Sequence, residues 1–439
     1  MSLPNESETV RGDVVALLTG YLLLLFLIPS RLVVGPIGAF GTPANLAALA
    51  GLGWWLLART IPELGAHQGR QPLRTVLFAY VAIVLATYAA AYTRPMVGVE
   101  IRAADRSVLG LAAGLGVALL IADGVPSAAR LETLLRRVTW CGSVVAVLGI
   151  LQFTVGLDLA AWLWIPGLEA NDALELISQR SLFRRVSGTA IHAIEFSVVL
   201  AMVFPVALHF AMDDPDRGRR ERLVALSIAL AIPMSVSRSG ILALAVGLLV
   251  VVLGWSWRRR IRGAAVAVAF VVALRFAIPG LVGTIRSLFS GLAGDPSIQG
   301  RTHDYALVSE IFQQRPWLGR GPGTFVPDRY PILDNQYLLS LVEVGLLGVL
   351  GLIVLLATAI TLALRAAGRR PAWPLGRAIA ASIAAGAASL ITFDALSFPM
   401  FSGTLFVMLG SAGAVWRLRP APESATRRVP TPVLRPVRT

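Results

Sequence analysis

The residues that could do chemistry are few, and most are arginines next to small or hydroxyl residues. Arg185 opens Arg185-Val186-Ser187-Gly188-Thr189, and Arg238 sits in Ser237-Arg238-Ser239-Gly240. Gly300-Arg301 is followed by His303, and Arg320 lies in Gly319-Arg320-Gly321-Pro322-Gly323. A guanidinium is permanently charged and its planar fork matches phosphate oxygens, so this set suits an anionic substrate or a leaving diphosphate. His192, Glu195, Asp334 and Glu343 are the nearby groups able to move a proton. Asp334, in Asp334-Asn335-Gln336-Tyr337-Leu338, suits a general base, and it equally suits a helix N-cap. Glu195 suits a structural pair with an arginine as well as a direct role. Arg238, in a tight turn, suits either a bound anion or a lipid phosphate.

Other chemistries lack their residues. The chain has no lysine, so it has no Walker-A lysine and no Schiff base. Its one cysteine, Cys141, excludes an internal disulfide and a cysteine-based metal cluster. Asp213-Asp214-Pro215-Asp216 looks like a metal-binding cluster but sits among arginines, where a solvated turn is the simpler reading. The Gly319–Gly323 run lacks the lysine and strand-to-helix context of a phosphate loop. No cofactor and no metal site is expected.

The elements that must position these residues are membrane helices. Of the 439 residues 56% are hydrophobic and 15% charged, against about 45–50% and about 25% in soluble domains. The apolar residues lie in blocks such as Val14–Pro29, Thr75–Ala91, Ile241–Trp255 and Gln336–Leu364. Blocks of this length approach the roughly 17–25 residues that cross a hydrocarbon core, and there the backbone must bond to itself as helix. The sequence therefore predicts an all-α integral membrane protein with about 12 transmembrane helices. They fall near 13–29, 38–58, 75–92, 107–122, 138–156, 189–211, 222–236, 240–256, 263–282, 336–364, 378–396 and 398–415. Residues 1–415 form one polytopic domain, and 416–439 a disordered, basic cytoplasmic tail. The first block follows only Arg11 and lacks a cleavage pattern, so it reads as a span.

Charge orients these spans. Alternate loops hold Arg59/Arg70/Arg74, Arg130/Arg136/Arg137, Arg217/Arg219/Arg220/Arg222, Arg258/Arg259/Arg260/Arg262 and Arg365/Arg369/Arg370/Arg377. Arginine excess marks the cytoplasmic side, which accounts for the +14 net charge without nucleic acid. Against the pattern stands a short outer loop near 93–106, with Arg94, Arg102 and Arg106. Two long loops, about 157–188 and 283–335, face outward, the larger between spans 9 and 10. In the larger, Arg301–Gln314 reads as an amphipathic helix with Tyr305, Val308, Ile311 and Phe312 on one stripe, ended by Pro316. Trp162, Trp164 and Trp317 suit the membrane–water interface. Arg184, Arg185, Arg238 and Arg301 then lie on the outer face beside the membrane. Gly345, Gly348 and Gly351 would thin one face of the tenth span for close packing.

Taken together, the motifs at 185–189, 237–240, 300–301, 316–325 and 334–348 resemble the O-antigen ligase and O-antigen polymerase family of bacterial envelope glycosyltransferases, over roughly 180–350. The resemblance implies a GT-C-like membrane enzyme working without metal on the outer side of the bacterial plasma membrane. The donor it implies is a polyprenyl-diphosphate-linked glycan, the acceptor a glycan or lipid, with membrane lipid around both. By resemblance Arg185 and Arg238, helped by Arg301, hold the diphosphate, and Asp334 activates the acceptor hydroxyl. His303, Arg320, Glu195 and Glu343 are additional candidates. Where ligases of this family carry histidine, this chain has Asp334. A transporter or flippase of lipid-linked glycans would also need arginines in a cavity, and a non-catalytic assembly scaffold is the third alternative.

Overall fold

The computed structural model describes residues 14–61, 66–171, 185–213, 218–290, 296–368 and 373–418. Among them the chain forms α1 (Val14–Leu27), β1 (Leu32–Val33), α2 (Pro43–Thr60), α3 (Pro72–Ala91), α4 (Gly98–Gly124) and α5 (Ala128–Thr154). Then come α6 (Leu159–Trp162), β2 (Glu169–Ala170), α7 (Ala193–Asp213), α8 (Gly218–Met234), α9 (Arg238–Leu253), α10 (Trp257–Ala277) and α11 (Leu281–Ser290). The chain continues with α12 (Pro296–Gln314), α13 (Gln336–Glu343), α14 (Gly345–Gly368), α15 (Leu375–Ser389) and α16 (Pro399–Arg417). The molecule is a helical bundle. Two two-residue strands, paired antiparallel with Leu32 opposite Ala170, tie together the loops that follow α1 and α6.

Each apolar block is a helix, but lengths differ from expectation. Among the described residues six helices, α3, α4, α5, α7, α14 and α16, are long and apolar enough to cross a membrane, and the bent pair α10–α11 would make seven. α1, α9 and α15 are apolar but shorter. At 14 to 16 residues they measure about 21–24 Å, less than a hydrocarbon core of about 30 Å. α16 and α7 are central, 89% and 78% buried along their apolar windows, whereas α3 is 28% buried and lies on the perimeter. Close packing uses missing side chains. A Cβ on Gly116 of α4 would lie 2.6 Å from Ala48 O of α2, and one on Gly410 of α16 would lie 2.7 Å from Ala118 O of α4.

Several boundaries are corrected. The expected span 336–364 is two helices, broken at Gly345, whose φ is +67°. The expected span 263–282 bends by 112° between α10 and α11, where Pro279 cannot continue the helix and Gly280 takes φ +89°. α4 starts at Gly98, so most of the supposed 93–106 loop is helix. α16 includes Arg417, which donates to Ala122 O and Val125 O, so the tail cannot begin at 416. On α12, Val308 and Ile311 are buried, but Tyr305 is 54% exposed and Leu307 joins the packed side instead. Arg184 and Asp214–Asp216 lie outside the described residues.

The arginine-rich loops gather at one end of the bundle. Arg74 pairs with buried Asp123 at 2.8 Å, and Asp123 also accepts from Trp55 Nε1 at 3.1 Å. Arg136 pairs with Glu221 at 3.0 Å. The helices starting at this end, α5, α8 and α15 among them, deliver their partners' first turns to the other end, where the candidate site lies.

Candidate functional site

At the opposite end the segment 185–192 is a clamped turn. Gln152, in the last turn of α5, accepts from Ser187 N at 3.2 Å and Gly188 N at 2.8 Å, and donates to Asp158 Oδ1 at 2.9 Å. Gly188 takes φ +59°, and a Cβ there would press on Phe196 and Val145. Thr189 Oγ1 donates to Phe26 O at 2.5 Å, and Ser30 N donates to Thr189 O at 2.9 Å, which fixes the turn to the end of α1. Arg185 is thus carried on rigid backbone, with its side chain half-buried and its Nε buried. His192 Nδ1 accepts from Ile194 N at 3.1 Å. Burial, helped by the Arg185 guanidinium, pushes His192 down to about 4, so it is neutral at pH 7 with its proton placed on Nε2.

Arg238 opens α9. Ser237 caps that helix, its side chain accepting from Gly240 N at 3.3 Å, and Val236 just before it has φ +51°. A β-branched residue in that region is strained, and such strain persists where the surroundings impose it. A Cβ on Gly240 would lie 2.4 Å from Ser197 Oγ, so the first turns of α9 and α7 are in contact. The small residues flanking Arg238 therefore serve capping and close approach. They bring two helix N-termini, each with a positive field, to the arginine's own end of the bundle.

Asp334 is exposed, and Asn335 is the N-cap of α13, accepting from Tyr337 N at 3.0 Å and Leu338 N at 3.2 Å. The capping reading of Asp334 is therefore corrected, because the adjacent amide does that work. Gln336 docks the segment: its N donates to Leu390 O at 2.8 Å and Phe393 O at 3.1 Å, and its Oε1 accepts from Leu396 N at 2.9 Å. This brings Asp334 near Asp394, a half-buried residue in the turn after α15. Burial raises Asp394 to about 7, and the Asp334 carboxylate adds to the rise. Sequence reasoning missed Asp394 by counting it within an apolar span; a carboxylate in Leu390-Ile391-Thr392-Phe393-Asp394 was the available signal.

The break between α13 and α14 is built from both sides. Arg320 N and Gly321 N donate to the last carbonyls of α13, Val342 O at 3.0 Å and Glu343 O at 2.8 Å. Leu346 N and Leu347 N, the first amides of α14, donate to Pro316 O at 2.9 Å and Trp317 O at 3.2 Å. The glycine-rich run thus spends backbone groups on capping a broken helix. Gly345 is the break, and Gly351, facing Tyr80 and Ile83, is the glycine that meets another helix.

The acidic candidates are held structurally. Glu195, fully buried, accepts from Ile191 N at 2.9 Å, Met400 N at 2.8 Å and Phe401 N at 3.2 Å, so it joins α7 to the start of α16 by backbone amides. Glu343 Oε1 accepts from Phe325 N at 3.1 Å. Arg320 hydrogen-bonds Tyr330 OH and lies 3.5 Å from Glu100, a buried carboxylate that also pairs with Arg94 at 2.8 Å and Arg329 at 3.7 Å. This cluster explains Arg94, the outlier of the charge pattern: it and Glu100 anchor the large loop to the start of α4. Glu100 was not anticipated. Arg301 and His303 fall on α12, with their side chains outside the described residues.

Residues 223–353 match a family model described as O-antigen ligase. No curated protein matches the chain. The matched stretch holds Arg238, α12, the capping loop and Asp334 through Glu343. Over that stretch the chain is similar to the O-antigen ligase family, and the bundle of apolar helices supports a multi-pass membrane protein.

Proposed function

We propose that the chain transfers a glycan from a polyprenyl-diphosphate carrier to an acceptor hydroxyl on the outer face of the bacterial plasma membrane, in cell-surface polysaccharide assembly. The observation that carries this is the arrangement at one end of the bundle. Arg185 on a clamped turn and Arg238 on the first turn of α9 lie at the end where α7 and α9 touch and where α13 presents an exposed Asp334. The acceptor oxygen attacks the anomeric carbon and the bond from that carbon to the diphosphate oxygen breaks. Asp334 takes the acceptor's proton, and the polyprenyl diphosphate leaves as an anion. Arg185 and Arg238, with Arg301, stabilise the charge that grows on the leaving oxygens, a role a metal fills in other transferases. Asp394, raised to about 7 by burial and by the neighbouring Asp334, holds its proton more tightly than an ordinary aspartate beside the proposed base. The topology under which this end faces outward has about a dozen crossings, the shorter helices α1, α9 and α15 spanning where partner helices cover their ends.

The test is transfer in vitro from a polyprenyl-diphosphate glycan, in excess chelator, with and without candidate acceptors. Arg185→Ala and Arg238→Ala should each lower transfer roughly tenfold to a hundredfold, the loss of one charge-assisted contact, and Arg→Lys should restore it only in part. Near-normal transfer by both alanine variants, or activity that returns only with added divalent metal, would reject the arginine mechanism. A scaffold predicts no transfer at all; a flippase predicts translocation without a new glycosidic bond.

A further inference from the structure

Three arginines converge on one buried carboxylate at the site end of the bundle. Glu100, in the first turn of α4, faces Arg94 at 2.8 Å, Arg320 at 3.5 Å and Arg329 at 3.7 Å. Anchoring the large loop needs only the first of these. Arg94 Nη1 donates to Glu100 Oε2, and Arg94 Nε donates to Arg320 O at 3.1 Å, so one side chain already ties α4 to the loop. Arg320 and Arg329 meet Glu100 at or beyond the limit of a hydrogen bond. Three guanidiniums against one carboxylate leave a surplus of two positive charges. The remaining contact of the Arg320 side chain is neutral: its Nη2 donates to Tyr330 OH, and its Cζ lies 4.9 Å from that ring's centroid. Arg94 Nη2 and Arg320 Nε are buried without a hydrogen-bond partner. A buried guanidinium N–H that lacks an acceptor is costly, and this cluster keeps two of them. It is nevertheless open to the outside, since the side chains of Arg94, Arg320 and Arg329 are 14%, 17% and 46% exposed.

We infer that Arg94, Arg320 and Arg329 form an oxyanion subsite for a carboxylate or phosphate group borne by the acceptor glycan. Arg329 is the outermost cation, and the two unpartnered N–H groups lie inside. Guanidiniums in surplus over carboxylates, with donors left over, suit an oxyanion. Position selects the acceptor's. The amides of Arg320 and Gly321 hold the last carbonyls of α13, and Asp334 lies just before the first turn of the same helix. The eight residues of α13 measure about 12 Å, so the arginines stand a short saccharide's length from the proposed base. Arg185 and Arg238 sit instead on the turn before α7 and on α9, with the donor's diphosphate. The assignment to the acceptor rests on the reading of Asp334 as its base. Glu100 orients Arg94 and, as the negative charge of the cluster, weakens the hold on an incoming anion.

The experiment is a ligand-observed NMR titration of the purified full chain with glucuronate, glucose 6-phosphate, inorganic phosphate and glucose. The chain carries Arg185→Ala and Arg238→Ala, so the proposed diphosphate clamp cannot supply the signal. Glucuronate or glucose 6-phosphate should bind and glucose should not; whichever anion binds names the substituent. Adding Arg329→Gln, at a half-exposed side chain, should weaken binding roughly tenfold, as expected for one lost charge-assisted contact. Adding Glu100→Gln should strengthen binding, whereas a network that serves only to anchor the loop gains no affinity from that change. If Glu100→Gln does not fold, Arg329→Gln decides. Binding of neither sugar anion, or binding that Arg329→Gln leaves unchanged, would overturn the subsite. Binding of inorganic phosphate alone would also overturn it, by showing an ion site closed to glycans. The titration involves no turnover, so its failure counts against the subsite whatever the transfer assay gives, and a failed transfer assay leaves the oxyanion subsite standing.

Discussion

Gly345→Ala tests whether the broken helix is what builds the outer end. Gly345 has φ +67°, a conformation costing a residue with a Cβ about 1–2 kcal/mol. The added Cβ would also lie 2.4 Å from Trp317 O and 2.5 Å from Trp317 C, backbone atoms that cannot rotate away. Relief requires the loop to lift, and four hydrogen bonds depend on its place: Arg320 N to Val342 O, Gly321 N to Glu343 O, Leu346 N to Pro316 O and Leu347 N to Trp317 O. At about 0.5–1.5 kcal/mol net for each bond, displacement adds about 2–6 kcal/mol, in the range that marks a specific structural failure. The assay pairs thermal unfolding of the solubilised protein with limited proteolysis across 316–330. Gly345→Ala should lower Tm and expose that loop to cleavage. Gly110→Ala, where a Cβ meets nothing within 4 Å, should be neutral or slightly stabilising. A Gly345→Ala protein with wild-type Tm and an uncut loop would refute the reciprocal-capping account.

Three further predictions address the site and its orientation. Asp334→Asn should reduce transfer by about 10²–10⁴ while leaving Tm unchanged, whereas Asn335→Ala should cost about 1 kcal/mol of stability by removing the cap of α13. Wild-type transfer by Asp334→Asn together with loss in His303→Ala would move the base to His303. Cysteine replacing Ser297 should react with an impermeant thiol reagent from outside and cysteine replacing Gly218 should not; the opposite labelling inverts the topology. Because burial raises Asp394 to about 7, the folded protein holds a proton there that the unfolded chain has released, so stability from this group is full below about pH 4 and is lost as pH rises through 7. Tm of wild type measured from pH 4.5 to 8 should therefore fall relative to Asp394→Asn, and parallel profiles would mean that Asp394 does not titrate in this window.

The helices were legible because an apolar block in a membrane has one way to satisfy its backbone. The places where the chain departs from regular helix were legible only as residue types. Pro279-Gly280 and Gly345 are ordinary punctuation in sequence; the first becomes a 112° bend through its own residue types, and the second becomes a break against a partner distant in the chain. For Gly345 that partner is Trp317 O, and nothing local to either residue encodes the contact. The same limit applies to charge. Arg94 contradicts the arginine pattern until Glu100 and Arg320 are seen around it, since a count of loop charges cannot register that a charge is already paired.

The site shows a sharper division between what spacing encodes and what packing decides. The surroundings of Arg238 read alike in sequence and structure, since a short turn with small neighbours has the same meaning in both: Ser237 caps, Gly240 allows α7 close, and Arg238 is left at the helix start. Carboxylates do not read so directly. Glu195 and Glu343 look alike in sequence, as acids at the ends of apolar runs, and each is taken up by backbone amides: Ile191, Met400 and Phe401 for one, Phe325 for the other. Asp334 alone among the acidic candidates remains exposed, and it does so because Asn335 supplies the cap that the helix needs. A chain with one capping residue at this position would have to choose between starting α13 and presenting a base. The Asp334-Asn335 pair divides the two tasks, and Gln336, bonded to 390–396, then fixes the direction in which the carboxylate emerges and places Asp394 beside it.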